Sequence, residues 1–160
     1  MNFKLQNRWN IYTHSTIDNN WNNESYNKLF SLDNLFDLKI FNNSVNKPFF
    51  SNNMIFIMRD NIFPTWEDKS NKEGCTASYK INTNDFYNLF EKIFESIICE
   101  NIHKDIDKYN EINGISIIPK KKFFIFKIWF KSNINNAENY INIIKPYIVN
   151  KNCRLKKHIN

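Results

Sequence analysis

An α+β fold, with helices covering one face of an antiparallel sheet, is the class this 160-residue sequence predicts, and three observations carry that reading. Runs rich in β-branched and aromatic residues recur along the chain. Amphipathic runs of helical period fall between them only loosely. The glycine-rich turn that opens a nucleotide-binding βαβ unit is missing from a chain with two glycines.

The first strand is expected in RWNIYTH (8–14), followed by MIFIMRD (54–60) and ASYKI (77–81). ISIIPKKKFFIFKIWF (115–130) reads as two strands meeting near Pro119 and Lys120. In the second of these, Phe124, Phe126 and Ile128 point one way and Ile125, Lys127 and Trp129 the other. The first set is wholly apolar and must be covered; the second mixes a lysine and a tryptophan with an aliphatic.

Three helices are expected. Asp33 caps one running to about Asn43, and Asn136 opens another toward Pro146. The clearest is TNDFYNLFEKIFESIIC (83–99), where Phe86, Leu89, Phe90, Ile93 and Ile97 recur at i, i+3, i+4, i+7, leaving Glu91 and Glu95 on the solvent side. The Asn-rich patches IDNNWNNES and SNINNAEN read as loops between these elements.

With 42% hydrophobic and 16% aromatic residues, the chain suits one compact domain over residues 1–160. Lys and Arg outnumber Asp and Glu by 22 to 16, which favours an anionic partner such as RNA, a nucleotide or a phosphate-rich surface. The chain is also heavy in Asn, Ile, Lys and Phe, as an A+T-rich genome produces, which offers a second source for the basicity. Cys75, Cys99 and Cys153 are too few and too scattered for a fully paired disulfide framework and read as reduced thiols of a cytoplasmic protein. No apolar segment follows a basic amino terminus, and no run has the length of a membrane span.

Enzyme signatures are sparse. The chain has no P-loop, no dinucleotide fingerprint, no G-x-S-x-G and no H-E-x-x-H, and His14, His103 and His158 lack metal-ligand spacing. Cys75 or Cys99 paired with a distant histidine would make a hydrolase, but an incidental thiol is the simpler reading of each. Asp105 and Asp107 lie in a polar run that suits a solvated loop. No cofactor is implied.

The segment NIFPTWEDKSN (61–71) is different: a tryptophan adjoins a carboxylate after a proline, in a stretch too polar to be core. An indole offers a polarizable face for a base, best when the base is cationic. A carboxylate only accepts hydrogen bonds, so it pairs with an edge that presents N–H donors, as guanine does through N1 and N2. Lysines hold phosphates as point charges. Trp66, Glu67 and the lysines of the 120–127 strand pair together suit a cationic guanine carrying a phosphate chain.

Read in order, LQNRWNIYTHS, the tryptophan of NNWNNESY, MIFIMRDNIFPTWEDKSNKEG, GISIIPKKK and IFKIWF resemble the cap-binding translation initiation factor 4E family, over residues 5–158. The most specific piece is I-x-P-x-W-E-D with N-K-x-G after it. The resemblance implies a strongly curved antiparallel sheet with three long helices on its convex face and, on its concave face, a site for the 7-methylguanosine cap of mRNA. Trp21 and Trp66 resemble the two stacking tryptophans, and Glu67 the glutamate that reads the base edge. Trp129 resembles the third site tryptophan, near the N7 methyl. Lys120 and Lys122 match basic positions for the phosphates. Ile125 stands where the family usually has another lysine, and Lys127 lies on the same face one pair later as its replacement. A further basic position falls on Thr76, and one glycine of the adjoining pair on Cys75. Trp9 and Tyr12 resemble structural aromatics of the first strand.

On the convex side the family receives a scaffold, 4G, or short repressors through a Y-x-x-x-x-L-Φ helix. At the corresponding positions this chain has Leu35, Lys39, Glu91 and Glu95, so charges replace apolar anchors. The resemblance thus implies a non-enzymatic, monomeric cap-binding protein of cytoplasmic translation initiation. Two alternatives stay open: a cap-binding competitor or repressor that does not recruit the standard scaffold, and a general single-strand RNA binder that stacks bases on the same aromatics without cap specificity.

Overall fold

The computed structural model describes residues 3–142 and 153–159. Seven strands form one antiparallel sheet: β1 (Lys4–Ser15), β2 (Asn27–Asn34), β3 (Asn53–Arg59), β4 (Cys75–Asn82), β5 (Ile112–Pro119), β6 (Phe123–Phe130) and β7 (Arg154–Lys157), in the spatial order β2-β1-β3-β5-β6-β4-β7. Helices α1 (Leu35–Ser44), α2 (Lys47–Asn52) and α3 (Thr83–Ile98) complete the α+β architecture that the sequence predicts. Register shifts in the β1–β2 and β5–β6 pairings mark bulges, which bend a strand and sharpen its twist.

The alternation in β6 divides the molecule. Phe124, Phe126 and Ile128 are buried in one large cluster with Phe86, Phe90, Ile93, Phe94 and Ile97 of α3 and with Leu38 and Phe41 of α1. Phe86 stacks on Phe124 at 3.9 Å between ring centroids. Truncating such a phenylalanine to alanine costs about 3–5 kcal/mol. Trp129, on the other face of β6, joins a separate cluster with Tyr12, Phe56 and Met58. Glu91 and Glu95 are exposed on α3, as its helical stripe predicts.

Two boundaries differ from expectation. The cap of α1 is Asn34, not Asp33: its side chain accepts from the N–H groups of Phe36 and Asp37, while the Asp37 carboxylate accepts from the Asn34 N–H. Asp33 is still in β2 and pairs with Arg8 at 3.3 Å. Asn136 does cap a helical segment, but that segment is a single 3-10 turn, Ala137–Asn139: Tyr140 ends it, Ile141 pairs with His103 in an isolated antiparallel bridge, and residues 143–146 of the span expected to reach Pro146 lie outside the described residues. Sequence reading also passes over β2, α2 and β7.

Both glycines are fixed by close packing. A Cβ at Gly74 would collide with the carbonyl of Phe130, and one at Gly114 with the carbonyl of Ile57 and the sulfur of Met58. Elsewhere, Arg59 at the end of β3 lies with its guanidinium 4.5 Å from the Trp9 ring and makes a bidentate pair, at 2.6 Å, with the buried Glu100. Glu100 takes a left-handed conformation (φ 61°) just after α3, and this conformation delivers its carboxylate to the arginine.

Candidate nucleotide-binding site

Cross-strand register sets which side chains share the open face. One row runs Tyr12, Phe56, Ser116, Lys127, Ser78, Arg154 across six strands; the next runs Asn10, Met58, Gly114, Trp129, Thr76, Lys156. Tyr12, Phe56 and Met58 make the β1–β3 end of these rows largely apolar, and the cations Lys127, Arg154 and Lys156 all fall at the β6–β7 end. Over their middle lies a cavity of about 410 Å³ lined by Trp21, Tyr26, Met54, Phe56, Pro64, Thr65, Trp66, Glu67, Ser116, Ile118, Lys127 and Trp129.

The segment between β3 and β4 presents Trp66 and Glu67. Its chain is stitched at several points: the Asp68 carboxylate accepts from the N–H groups of Phe63 and Ser70, and the Asn71 side chain donates to the carbonyls of Phe63 and Thr65. Asn113 then donates to the Ser70 carbonyl at 2.6 Å and to the Asn71 side chain at 2.9 Å. Asn113 can do this because it is the extra residue in β5 between the Ile112–Phe130 and Gly114–Trp129 pairs, and a bulge re-aims the side chain it carries. Trp66 is half-buried and Glu67 exposed at the cavity wall.

Trp21 comes from the β1–β2 connection and is 53% exposed. It stacks on His14 with ring centroids 4.1 Å apart and planes within 8°. Tyr26 sits between this connection and the loop after β3, edge-on to Phe56 and Phe63 at 5.4 Å from each. Burial raises its phenol above the ordinary value, and the Glu67 carboxylate raises it further.

The floor is Trp129, 3% exposed, whose indole N–H donates to Ser116 Oγ at 3.0 Å. Beside it the Lys127 ammonium is half-buried, and its pKa is lowered first by burial and then by the positive charges of Lys156 and Lys120. A desolvated cation among other cations suits an anionic ligand.

Of the residues singled out in the sequence, Trp21, Trp66, Glu67, Trp129 and Lys127 converge on this cavity. Lys120 and Lys122 are exposed in the β5–β6 turn, outside its lining, with Lys120 near enough to Lys127 to affect its charge. Trp9 is fully buried on the helix side and Tyr12 packs beneath the site; neither lines it. On the helical side, Leu35 and Glu95 border one surface cleft and Glu91 another, while Lys39 is exposed on α1 and lines neither.

Sequence reasoning missed Tyr26, Phe56 and Ser116, although alternation along β3 and β5 carries the signal for the last two. It also missed β7. Lys156 on that strand lies opposite Thr76, and its ammonium is 4.2 Å from the centroid of the Trp66 ring. A cation thus reaches the sheet position where Thr76 supplies none. His158 stacks on Trp66 at 5.5 Å and 13°. No local pattern announces a strand that joins β4 from the far end of the chain. Among the described residues no group of three His, Cys, Asp or Glu side chains could hold a metal ion, and no helix is long and apolar enough to cross a membrane.

Comparison with known proteins bears on the fold and the family. A translation initiation factor 4E homolog of Acanthamoeba polyphaga mimivirus is 32% identical over 65 residues, which span 41% of this chain and only 24% of that protein. The fold is shared with the schistosome initiation factor 4E solved with m7GpppG and 4E-BP, at a TM-score of 0.75 and 18% identity, covering 87% of this chain and 77% of that one. It is shared also with Ascaris suum initiation factor 4E-3 solved with an m2,2,7G cap, at a TM-score of 0.71 and 16% identity, covering 84% and 77% respectively. The family model described as eukaryotic initiation factor 4E matches residues 4–156, and with nearly the whole described sheet inside that match, this chain belongs to the eukaryotic initiation factor 4E family.

Proposed function

We propose that this protein binds the 7-methylguanosine 5′ cap of mRNA and acts, as a non-enzymatic monomer in the cytoplasm, at translation initiation. The observation that carries the reading is the convergence of Trp21, Trp66, Glu67, Trp129 and Lys127 on one cavity. The cap complexes of the structural relatives support it.

N7 methylation makes guanine cationic, so a base held between Trp21 and Trp66 gains charge–quadrupole attraction beyond ordinary stacking. Glu67 accepts from N1–H and N2–H of the base, and the Trp66 peptide N–H, which has no protein acceptor among the described residues, donates to O6. Trp129 lies next to the methyl group. Lys127 holds the phosphate chain as it leaves the cavity, with Lys120 and Lys122 farther along it.

Tryptophan fluorescence titration with 7-methyl-GTP and with GTP tests this directly. The methylated ligand is expected to bind far more tightly, and Glu67→Ala to abolish binding nearly completely while the melting temperature stays unchanged. Equal affinity for the two ligands would instead support a general single-strand RNA binder.

The helical side favours a second reading of the role, though not of the ligand. Exposed Glu91 and Glu95 on α3 and Lys39 on α1 interrupt the apolar surface that Leu35, Phe36 and Ile40 expose on α1, so the protein acts as a competitor or repressor, or meets a diverged 4G-like scaffold through mixed apolar and charged contacts. A Y-x-x-x-x-L-Φ peptide is expected to bind poorly in calorimetry; tight binding would return the protein to the ordinary scaffold-recruiting role.

A further inference from the structure

The two tryptophans that wall the cavity are each backed by a histidine, and the two arrangements share a design. His14, in β1, is fully buried and lies parallel to Trp21. Its ring nitrogens face the carbonyls of Ser15 at 2.9 Å and Asn20 at 2.7 Å, and Asn20 immediately precedes Trp21. His158, just beyond β7, lies nearly parallel to Trp66. Its Nδ1 bonds the carbonyl of Asn71, and its backbone N–H bonds the carbonyl of Gly74 at 3.1 Å. Asn71 is the residue whose side chain holds the Phe63 and Thr65 carbonyls, the second of which immediately precedes Trp66.

Neither histidine lines the cavity, whereas both tryptophans do. Each imidazole therefore lies against its indole outside the cavity lining, His14 on Trp21 and His158 on Trp66, where His158 also lies 5.2 Å from the ring of the floor residue Trp129. In both walls the histidine touches the indole face and also ties the loop that carries the indole. A flat ring behind a tryptophan sets the plane the tryptophan presents, and aromatic pairs of this kind contribute beyond simple burial.

We infer that His14 and His158 are positioning residues, which hold Trp21 and Trp66 parallel and at stacking distance for a flat, cationic heterocycle. The inference rests on the cap-binding reading above and adds to it the groups that preorganise the slot. They touch no ligand; they fix the orientation of the groups that do, so their effect falls on recognition of the base and not on that of the phosphates.

The test compares wild type with His14→Leu, His14→Phe, His158→Leu and His158→Phe, each titrated with 7-methyl-GTP and with inorganic triphosphate after its folding has been verified by circular dichroism. Leucine fills the space without a flat ring, and phenylalanine keeps the ring. Each leucine variant is expected to lose roughly 3- to 10-fold in affinity for 7-methyl-GTP, from the energy typical of an aromatic pair, with triphosphate affinity unchanged. Each phenylalanine variant is expected to recover most of the loss. Leucine and phenylalanine variants of equal affinity would overturn the inference, as would a leucine variant that loses triphosphate binding in the same proportion. If wild type itself shows no preference for 7-methyl-GTP over GTP, the cap-binding reading falls first and takes the inference with it.

Discussion

The two walls of the cavity are built differently. The Trp66 wall is bound by contacts distant in sequence: Asn113 from β5 anchors Ser70 and Asn71, His158 from beyond β7 anchors Asn71, and Asn71 is itself fully buried. The Trp21 wall relies more on neighbours. Its turns are closed by Asp18 accepting from the Asn20 N–H and by Asn22 capping the 3-10 turn Asn23–Ser25, and its ties to the rest of the protein are at its two ends, Thr16 donating to the Asn52 carbonyl and Tyr26 packed on Phe56 and Phe63, with His14 stacked on Trp21. Long-range ties raise the free energy needed to open a segment locally, and local turns do not. Glu67 thus stands on a segment tied across long range, and Trp21 on a loop closed mostly by local turns; under the proposed function, these would be the reader of the base edge and the second stacking face.

The largest test of this asymmetry is a pair of asparagine substitutions. Asn71→Ala leaves the Phe63 and Thr65 carbonyls without their donor in a buried site and is expected to cost roughly 2–4 kcal/mol in urea denaturation. Asn22→Ala removes an exposed cap and is expected to cost about 0.5 kcal/mol. Similar losses would erase the distinction.

Hydrogen exchange sharpens it at a smaller scale. Amides of residues 63–74 are expected to exchange about tenfold or more slowly than those of residues 17–25, from opening free energies that differ by a kilocalorie or so. Comparable rates in both segments would mean that the long-range ties do not stiffen the loop.

The smallest effect is on pH dependence. Burial lowers the His158 pKa below its ordinary 6.5; the Asn71 carbonyl and Glu67 oppose the shift, and Lys127 and Lys156 add to it. The folded chain therefore keeps this imidazole neutral where the unfolded chain protonates it. Its contribution to stability is complete above pH 6.5 and is lost progressively as the pH falls below that value. A melting temperature that declines from pH 7.5 to 5.0, with a shallower decline in His158→Phe, is the expected result; identical slopes would remove His158 from the account.

Legibility in the sequence followed the range of the interactions. The two faces of β6 and the buried stripe of α3 are local periodicities, and both were readable residue by residue. β2 and β7 were not, because edge strands carry polar and basic side chains (NKLFSLDN and RLKK) in place of apolar alternation. The Trp66–Glu67 pair stood out as an odd juxtaposition in a polar loop. The residues behind it did not, since His158 and Asn113 reach Trp66 only through the register of β7 and a bulge in β5. Asp33 and Asn34 both suit the cap of α1, so the sequence places it one residue early; the Asn34 side chain makes the bonds to Phe36 and Asp37, while the Asp33 carboxylate lies 3.3 Å from Arg8 of β1.

Strand β7 pairs with β4 although it follows the other six described strands in chain order. A ribosome therefore delivers six strands and the whole Trp66 loop before it delivers the segment that backs them. Until β7 arrives, the outer edge of β4 is open, Trp66 lacks both His158 and Lys156, and the slot has one finished wall. The nascent protein can bury much of its helical core before β7 is made, but the proposed site is complete only once β7 has been added. Maturation of the site is then a separate and later event than folding of the domain.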